Sequence, residues 1–445
     1  MLSRFDRQVR IWGAPAQTYL ERAHVCLVAK SFHDALLQEI LKSLALTGIG
    51  EITLLLEDPE SAKDLYSADA SSFFAVNETL LGEKLVTDIS SWKCLDEPLC
   101  VYTIIVAVNL ERNEELDWLV RRREPLVVAS AKDFSGHVEL CLKEGHFVID
   151  SLPGYSIPDV RICDAWPELR EFYESFDLAQ WLSSGRLSEI PYPVILYHMV
   201  KDVAKKDLVN TSSKYVRSKI EEQFPNNLDD LNIIEAKRFA HLAIRSFDHC
   251  GRMVKFLLNV GPELSRNQWF DPLNHETAYF LKCLRQYYYR YESLPISGYL
   301  PDMESSTELY GRLKCLYRNK HSEDIRCFND IMSEEGGQPS LPSGAEDVFI
   351  RKLRYLEFCP AKPVIYQIPN TGRRPRPLPS VLSRYTEKAN EPGGQNEAIT
   401  FHTSCFIGGV ASQEIIKLIT HQHVPISEQY RYEQQDKWRS SISGD

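Results

Sequence analysis

The sequence predicts an α/β fold, in which a doubly wound parallel sheet is combined with a large helical insert domain. Strand and helix patterns alternate through residues 24–150. Amphipathic helical patterns dominate after Pro167, and an apolar helical pattern returns at residues 410–419. We predict a first α/β part at residues 1–165, a helical insert at 166–397 and a return to the α/β domain at 398–445.

The first predicted strand covers residues 24–29, where apolar and β-branched residues form a continuous run. A helix with an apolar face follows, formed by Leu36, Leu37, Ile40, Leu41, Leu44 and Ala45. Gly48 and Gly50 mark the end of this helix, and residues 52–56 form a second strand. A strand, a helix and a strand in so short a stretch predict a right-handed βαβ unit with parallel strands.

Further strands are predicted at residues 102–108 and 126–129, with a helix between them that contains Leu116 and Leu119. Residues 137–142 and 146–149 alternate apolar and polar positions around Gly145. This pattern predicts an antiparallel hairpin at the end of the sheet.

In the helical insert, the apolar spacing predicts helices at residues 233–247, 278–292 and 307–319. Ser305 and Glu308 have the spacing of a capping box, which predicts a helix start at Ser305. Three segments rich in Pro, Gly or polar residues predict loops, at 333–347, 369–380 and 387–397.

Composition excludes several classes of protein. A net charge of -11 is unfavourable for binding a nucleic-acid backbone. The eleven cysteines form no Cys-x-x-Cys pair, and His421 and His423 alone are a weak metal signal, so we expect no metal site and a solvated helix end. No apolar run reaches the roughly 20 residues that span a bilayer. The charged start of the chain is unlike a signal peptide, and we expect a cytoplasmic or nuclear protein.

The turn after the first strand lacks the glycines that a nucleotide site needs. In a Rossmann-like unit, glycines let a phosphate approach the backbone N–H groups at the start of the helix. Here residues 29–34 read Ala-Lys-Ser-Phe-His-Asp, so Phe32 and His33 stand where a phosphate would bind. Lys30 and Asp58 could still hold a nucleotide, but we expect a degenerate site and no cofactor bound by this chain.

The two ends of the chain resemble one family, the activating enzymes of ubiquitin and ubiquitin-like proteins. Residues 4–13 are similar to the family's Arg-Tyr-Asp-Arg-Gln-x-Arg-x-Trp-Gly signature. Residues 408–420 resemble its Gly-Gly-x-x-x-Gln-Glu-x-x-Lys-x-x-Thr helix. Within the family, residues 298–303 and 166–170 resemble the regulatory subunits of the neddylation (Rub-conjugation) activating enzymes.

This resemblance implies an adenylation-type α/β domain in an obligate heterodimer. The catalytic partner subunit would bind Mg-ATP, adenylate a Nedd/Rub ubiquitin-like protein and form a thioester on its own cysteine. The helical insert here would correspond to the domain that carries this cysteine in the partner. Cys250 and Cys283 lie among apolar neighbours, and we expect both to be buried rather than catalytic.

The resemblance also implies that Arg7 reaches the phosphates of ATP in the partner subunit, with Arg4 and Arg10 assisting. A guanidinium group suits this role because it is permanently charged and donates paired hydrogen bonds. Alternatively, these arginines pair with Asp6 on the surface. Trp12 is either an interface residue or a core residue.

Three other functions stay open from the sequence. The chain could serve a different ubiquitin-like modifier, or could adenylate its substrate alone. It could also be a dinucleotide-dependent oxidoreductase. The last two need the glycine turn that the sequence lacks.

Overall fold

The computed structural model describes residues 5–62, 86–91, 102–110, 114–153, 159–203, 211–245, 273–336, 340–361, 395–427 and 429–433. It divides into two compact units. The first comprises Met1–Pro153, Trp269–Glu276 and Leu356–Asp445, and the second comprises Gly154–Gln268 and Thr277–Tyr355. The division at residues 165 and 397 rests on sequence pattern alone and stays a prediction.

The elements before the second unit are α1 (Asp6–Trp12), α2 (Ala14–Arg22), β1 (His24–Ser31), α3 (Ala35–Thr47), β2 (Glu51–Asp58), β3 (Val86–Ser91), β4 (Ile104–Val108), α4 (Glu114–Arg121), β5 (Leu126–Lys132), β6 (Ser135–Cys141) and β7 (His146–Val148). There follow α5 (Pro167–Glu174), α6 (Leu178–Ser183), α7 (Tyr192–Val200), α8 (Ser213–Gln223), α9 (Leu231–Arg238), α10 (Leu242–Arg245), α11 (His275–Tyr291), α12 (Thr307–Glu335) and α13 (Ala345–Lys352). The chain continues with β8 (Glu357–Cys359), α14 (Gln395–Thr420) and β9 (Tyr430–Glu433).

The first unit is built on a sheet whose described strands lie in the order β3, β2, β1, β4, β5, β6, β9. β1 pairs in parallel with β2 on one side and with β4 on the other, so that Val25 lies opposite both Ile52 and Ile104. β2 pairs with β3 and β4 pairs with β5 in parallel as well. The predicted βαβ unit and the α/β fold class are confirmed.

The core of the first unit covers both faces of this sheet. Strands buried on both faces need apolar residues at every position, and the five residues from Val25 to Ala29 are all buried. The apolar face of α3 and the buried face of α14 pack on one side, where Ile407, Ala411, Ile415 and Leu418 are fully buried. The apolar spacing predicted an apolar face on each of these helices, and the structure shows both faces buried.

The hairpin predicted around Gly145 is wrong. β6 pairs instead with the preceding strand β5, from Leu126 opposite Cys141 to Lys132 opposite Ser135. The tight turn between them includes Asp133 in a left-handed conformation, with φ of 50°. β7 pairs with the distant β8 in a separate two-stranded sheet. Three-residue strands carry too little pattern to specify a partner, so sequence proximity misled the prediction.

The second unit is helical and has its own buried core. Leu169, Tyr173, Leu313 and Tyr317 are buried there, and the hydroxyl of Tyr173 lies 3.3 Å from that of Tyr317. The helix predicted at 233–247 is instead divided into α9 and α10, with a break at residues 239–241.

The long helix α12 corrects two further predictions. Its N-cap is Ser306, whose hydroxyl accepts a hydrogen bond from the backbone N–H of Leu309, so the capping box predicted from Ser305 does not form. The helix continues to Glu335, well past the predicted end at residue 319 and into the predicted loop at 333–347.

The C-terminal helix α14 is also longer than predicted, because it starts at Gln395 within the predicted loop at 387–397. The loop predicted at 369–380 lies outside the described residues. In the described part of the chain, no helix has the length and hydrophobicity to cross a membrane.

Candidate functional site: the turn after β1 and the N-terminal helix

The turn between β1 and α3 is filled by the protein's own side chains. Phe32 packs into the core with 6% of its surface exposed, whereas His33 is exposed. The backbone N–H of Phe32 donates to Ser61 Oγ at 2.9 Å, and its carbonyl oxygen accepts from Gln38 Nε2 at 3.1 Å. Both backbone polar groups of Phe32 are thus used within the fold. Phe32 is buried and His33 points away from the core, and the prediction that they stand where a phosphate would bind stays a prediction.

Asp34 occupies the start of α3. Its carboxylate Oδ1 accepts hydrogen bonds from the backbone N–H groups of Leu36 at 2.8 Å and Leu37 at 3.2 Å. Free N–H groups of this kind bind phosphate in nucleotide-binding βαβ units. Here an internal carboxylate binds them, so the helix dipole already faces a negative charge.

Asn109, which follows β4, completes the arrangement. Its side-chain Nδ2 donates to Asp34 Oδ2 at 2.8 Å, and its Oδ1 accepts from the backbone N–H of Ala131 at 2.8 Å. Asn109 has a φ of 50°, a left-handed conformation that asparagine tolerates better than most residues. One amide therefore connects the carboxyl ends of β1, β4 and β5.

Neither Asp34 nor Asn109 was predicted as a site residue from the sequence. A signal for Asp34 was present, since an aspartate directly before an apolar helical run is a preferred N-cap. No local signal identifies Asn109, because its partners are 75 and 22 residues away. Lys30 is half-buried near the end of β1, and Asp58 is exposed opposite Ser31 in the register of β2.

The N-terminal helix α1 carries Arg7 on its surface, and none of its residues is buried. Asp6 forms an ion pair with Arg10 at 2.9 Å rather than with Arg7. Within the described residues, Arg7 forms no ion pair. Arg4 lies outside the described residues. The surface pairing that the sequence left open is therefore present for Arg10.

Trp12 lies half-buried against the core of the first unit. Its indole Nε1 donates to Gln17 Oε1 at 3.1 Å, and Gln17 Nε2 donates to the carbonyl oxygen of Thr47 at 3.2 Å. Gln422 Nε2 donates to the carbonyl oxygen of Trp12 at 2.6 Å. These contacts explain Trp12 as a structural residue, and its interface role stays a prediction.

The C-terminal signature contributes to packing in the first unit. A Cβ atom on Gly408 would lie 2.9 Å from Glu39 Cγ, so glycine is needed where α14 contacts α3. Glu414 is buried, with one carboxylate oxygen 2.6 Å from Lys417 Nζ and the other accepting from the backbone N–H of Ile426 at 3.0 Å. The glutamate and lysine of the motif thus fix the chain that follows the helix.

The stretch at residues 298–303 also has a structural basis, in the second unit. Gly298 has a φ of 70°, and a Cβ atom there would lie 2.7 Å from His321 Cβ. Leu300 and Met303 are buried in the core of this unit. The residue types at 298–303 are therefore explained by close packing around His321.

Cys283 is fully buried in α11, as predicted, and Cys250 lies outside the described residues. Burial raises the pKa of the Cys283 thiol to about 12, so this cysteine remains protonated near neutral pH.

His421 corrects the expected solvated helix end, because it is 4% exposed. Its ring stacks on that of His146 at a centroid distance of 4.8 Å, and its Nδ1 lies 2.6 Å from the carbonyl oxygen of Phe147. His423 is exposed. Within the described ranges, no three His, Cys, Asp or Glu side chains form an arrangement suited to a metal ion.

Comparison with known proteins gives consistent relatives over nearly the full length. No family model matches the sequence. The NEDD8-activating enzyme E1 regulatory subunit of Saccharomyces cerevisiae is 30% identical, over 97% of this chain and 97% of that protein. The regulatory subunit AXR1 of Arabidopsis thaliana is 24% identical over 95% and 93%, and that of Danio rerio is 24% identical over 96% of both.

A crystal structure of E. coli MccB with MccA aligns with 32% of this chain and 50% of its own, at 20% identity and a TM-score of 0.24. That superposition is too partial to bear on function. The sequence relatives, by contrast, match almost every part of the chain. This chain belongs to the family of NEDD8-activating enzyme E1 regulatory subunits.

Proposed function

We propose that this chain is the non-catalytic half of a heterodimeric activating enzyme for a NEDD8-type ubiquitin-like protein. The catalytic partner binds Mg-ATP, adenylates the C-terminus of the modifier and accepts it as a thioester on its own cysteine. This chain supports that partner and helps to bind the modifier. It binds no nucleotide and has no activity alone, and it works in the cytoplasm or nucleus.

The filled turn after β1 is the observation that carries the proposal. The N–H groups of Leu36 and Leu37 hydrogen-bond to Asp34, and Phe32 packs into the adjacent core. A triphosphate would have to displace both side chains. Displacement would leave the Asp34 carboxylate beside the phosphates, where like charges repel. The family's nucleotide chemistry therefore belongs to the other subunit.

Arg7 is the residue through which this chain contributes to the reaction in the proposal. Its side chain is exposed on a helix that buries none of its residues, and Asp6, the adjacent carboxylate, is paired with Arg10. A guanidinium group held in this way is available to a phosphate of ATP in the partner subunit. Arg10 is partly neutralised by Asp6 and has a secondary role.

The thioester belongs to the partner subunit in this proposal. A cysteine nucleophile needs a thiolate that the substrate can reach. Cys283 in the helical unit is buried, and burial raises the pKa of its thiol to about 12. This position cannot supply an accessible thiolate.

ATP–pyrophosphate exchange tests the proposal most directly. The full chain, the catalytic subunit from the same organism and their mixture are each assayed with Mg-ATP and NEDD8. We expect exchange from the mixture and none above background from this chain alone. Exchange by the lone chain would show a self-sufficient adenylating enzyme and refute the proposal.

Replacing NEDD8 by ubiquitin or another modifier in the same mixture tests specificity. We expect the highest kcat/KM for exchange with NEDD8. A higher value with another modifier would assign the chain to that modifier's pathway.

A further inference from the structure

Helix α9 of the second unit carries two exposed apolar side chains next to each other. Leu231 is 60% exposed and Ile234 is 46% exposed. Residues three apart lie on the same side of a helix, so these two side chains form one apolar patch. The opposite side of α9 is buried, with Ile233 and Ala236 in the core of the second unit. In the described part of the chain, the patch is therefore an outward surface that no other element covers.

Three carboxylates adjoin this patch. Glu235 lies one turn after Leu231, and its Oε2 accepts a hydrogen bond from the backbone N–H of Glu304 at 2.9 Å. Glu304 and Asp302 are both exposed, and the charge of each acts on Glu235. Within the described residues, none of the three carboxylates forms an ion pair. We call Leu231, Ile234, Glu235, Asp302 and Glu304 together the α9 face.

The negative charge of Glu235 is not balanced by its surroundings. Burial raises the pKa of its carboxyl, and the charges of Glu304 and Asp302 raise it further, whereas Arg238 acts in the opposite direction. Tyr192 is fully buried, and its hydroxyl has no hydrogen-bond partner among the described residues. Burial and then the charge of Glu235 raise the pKa of Tyr192, so this hydroxyl lies close enough to feel that charge. The α9 face therefore has bonding capacity for a positively charged donor that the described chain does not supply.

We propose that the α9 face binds a basic amphipathic segment of another protein, which places apolar side chains on Leu231 and Ile234 and Lys or Arg side chains on the carboxylates. Charge complementarity selects this partner. Nucleic acids and anionic membranes carry phosphates, which the carboxylates repel. A second copy of this chain would bring the same carboxylates together. The patch is small, so the contact is weak and reversible. This partner is additional to the catalytic subunit, and the inference does not rest on the proposed function.

Fluorescence anisotropy of a labelled synthetic peptide tests the proposal on the full chain. The peptide is a helix with leucines on one face and lysines beside them, and a second version has glutamates in place of the lysines. We expect the lysine peptide to bind with a Kd of about 1 to 100 µM and the glutamate peptide not to bind. Leu231→Ser combined with Ile234→Ser should weaken binding about 10- to 100-fold, because two apolar contacts are lost. Glu235→Gln should weaken it about 3- to 10-fold, since the glutamine oxygen still accepts from Glu304 but carries no charge.

Two substitutions elsewhere provide matched controls. Leu46→Ser replaces a leucine that is 45% exposed on α3 of the first unit. Glu171→Gln removes an exposed carboxylate from α5 of the second unit. Both variants should bind the lysine peptide like wild type. The melting temperatures of all variants should equal that of wild type, because every replaced side chain is exposed or half-buried.

Several outcomes would overturn the proposal. They are failure of the wild type to bind the lysine peptide, equal binding by the variant with both Leu231→Ser and Ile234→Ser, and tighter binding of anionic vesicles or of an oligonucleotide. Self-association of the wild type that this variant abolishes would assign the face to a second copy instead. With saturating catalytic subunit we expect an unchanged Kd for the peptide. Loss of peptide binding there would place the α9 face in the subunit interface and overturn the proposal.

Discussion

Asp34 is the residue on which the proposed absence of nucleotide binding depends most. It combines an ordinary role, capping α3, with the neutralisation of the groups that would hold a phosphate. Through Asn109 it also joins the ends of three strands. Replacing Asp34 should therefore lower the stability of the first unit.

We expect Asp34→Ala to lower the free energy of unfolding by about 1 to 3 kcal/mol, because a helix cap is lost and the Asn109 amide loses an acceptor. Urea denaturation measures this change. Asp34→Asn is the control and should lose less, since asparagine caps helices nearly as well as aspartate. Equal stability of Asp34→Ala and wild type would show that the cap contributes nothing.

Arg7→Ala should slow ATP–pyrophosphate exchange by the heterodimer about 10- to 100-fold, since a charge-assisted hydrogen bond is worth roughly 1.5 to 3 kcal/mol. The unfolding free energy should not change, because α1 buries none of its residues. Exchange at saturating ATP and modifier provides the measurement. A decrease of less than about twofold in the exchange rate would refute the role of Arg7 in the partner's ATP site.

Only some features of the site could be predicted from the sequence. The absence of glycine at residues 29–34 and the bulk of Phe32 are visible in the sequence itself. The partners of Asn109 and the burial of His421 were not, because both depend on chain segments far away. Sequence spacing predicts contacts within a helix or strand, whereas these contacts are set by the tertiary fold.

The contact between helices α3 and α14 can be tested by substitution, because it contains a closely packed glycine. Two adjacent glycines on α14 differ in their surroundings. A Cβ atom on Gly408 would meet the Glu39 side chain at 2.9 Å, whereas one on Gly409 would have no atom within 4 Å. The same substitution at the two positions should therefore have opposite effects.

We expect Gly408→Val to destabilise the chain by about 1 to 3 kcal/mol through overpacking against α3. Gly409→Val should be neutral or stabilising by a few tenths of a kcal/mol, roughly the gain in helix propensity over glycine. Thermal or urea unfolding of the pair provides the measurement. Equal losses at both positions would mean that helix packing at Gly408 is looser than described.

Long apolar stretches predicted the elements well, and short or polar ones did not. β1, α3, β2 and β5 follow continuous runs or clear helical spacing, and all are present. The predicted helix ended at residue 319, whereas α12 continues to Glu335, because the polar residues His321 and Asp324 occupy buried positions on its inner face and interrupt the apolar series. β7 pairs with β8, more than 200 residues away, which no local pattern encodes.

For the whole molecule, the charge state of buried histidines links stability to pH. Burial lowers the pKa of His421 below its ordinary value of 6.5, despite hydrogen bonds to the carbonyl groups of Phe147 and Leu273 that favour the charged form. The unfolded chain therefore takes up a proton first as pH falls. Stability from this group is complete above about pH 6.5 and is lost as pH decreases below it.

We expect the free energy of unfolding to fall between pH 7.5 and pH 5.5, with at most about 1.4 kcal/mol per pH unit from His421. His421→Gln should flatten this dependence even if it also lowers stability at pH 7.5. Urea midpoints across the range measure it. An unchanged slope in the variant would assign the pH dependence to other groups, such as His198, whose pKa burial also lowers.

The edge strand β9 comes last in the sequence, and this has a consequence for biosynthesis. β9 pairs with β6, and Gln429 bonds to Glu139 across 290 residues of chain. At about 5 to 20 residues per second, a ribosome needs roughly 15 to 60 seconds to deliver that interval. During this time the apolar side of the nascent sheet that α14 later covers stays open to water and to other polypeptides. A chaperone that shields the emerging chain should therefore raise its yield more than it would for a protein that folds from its first residues onward.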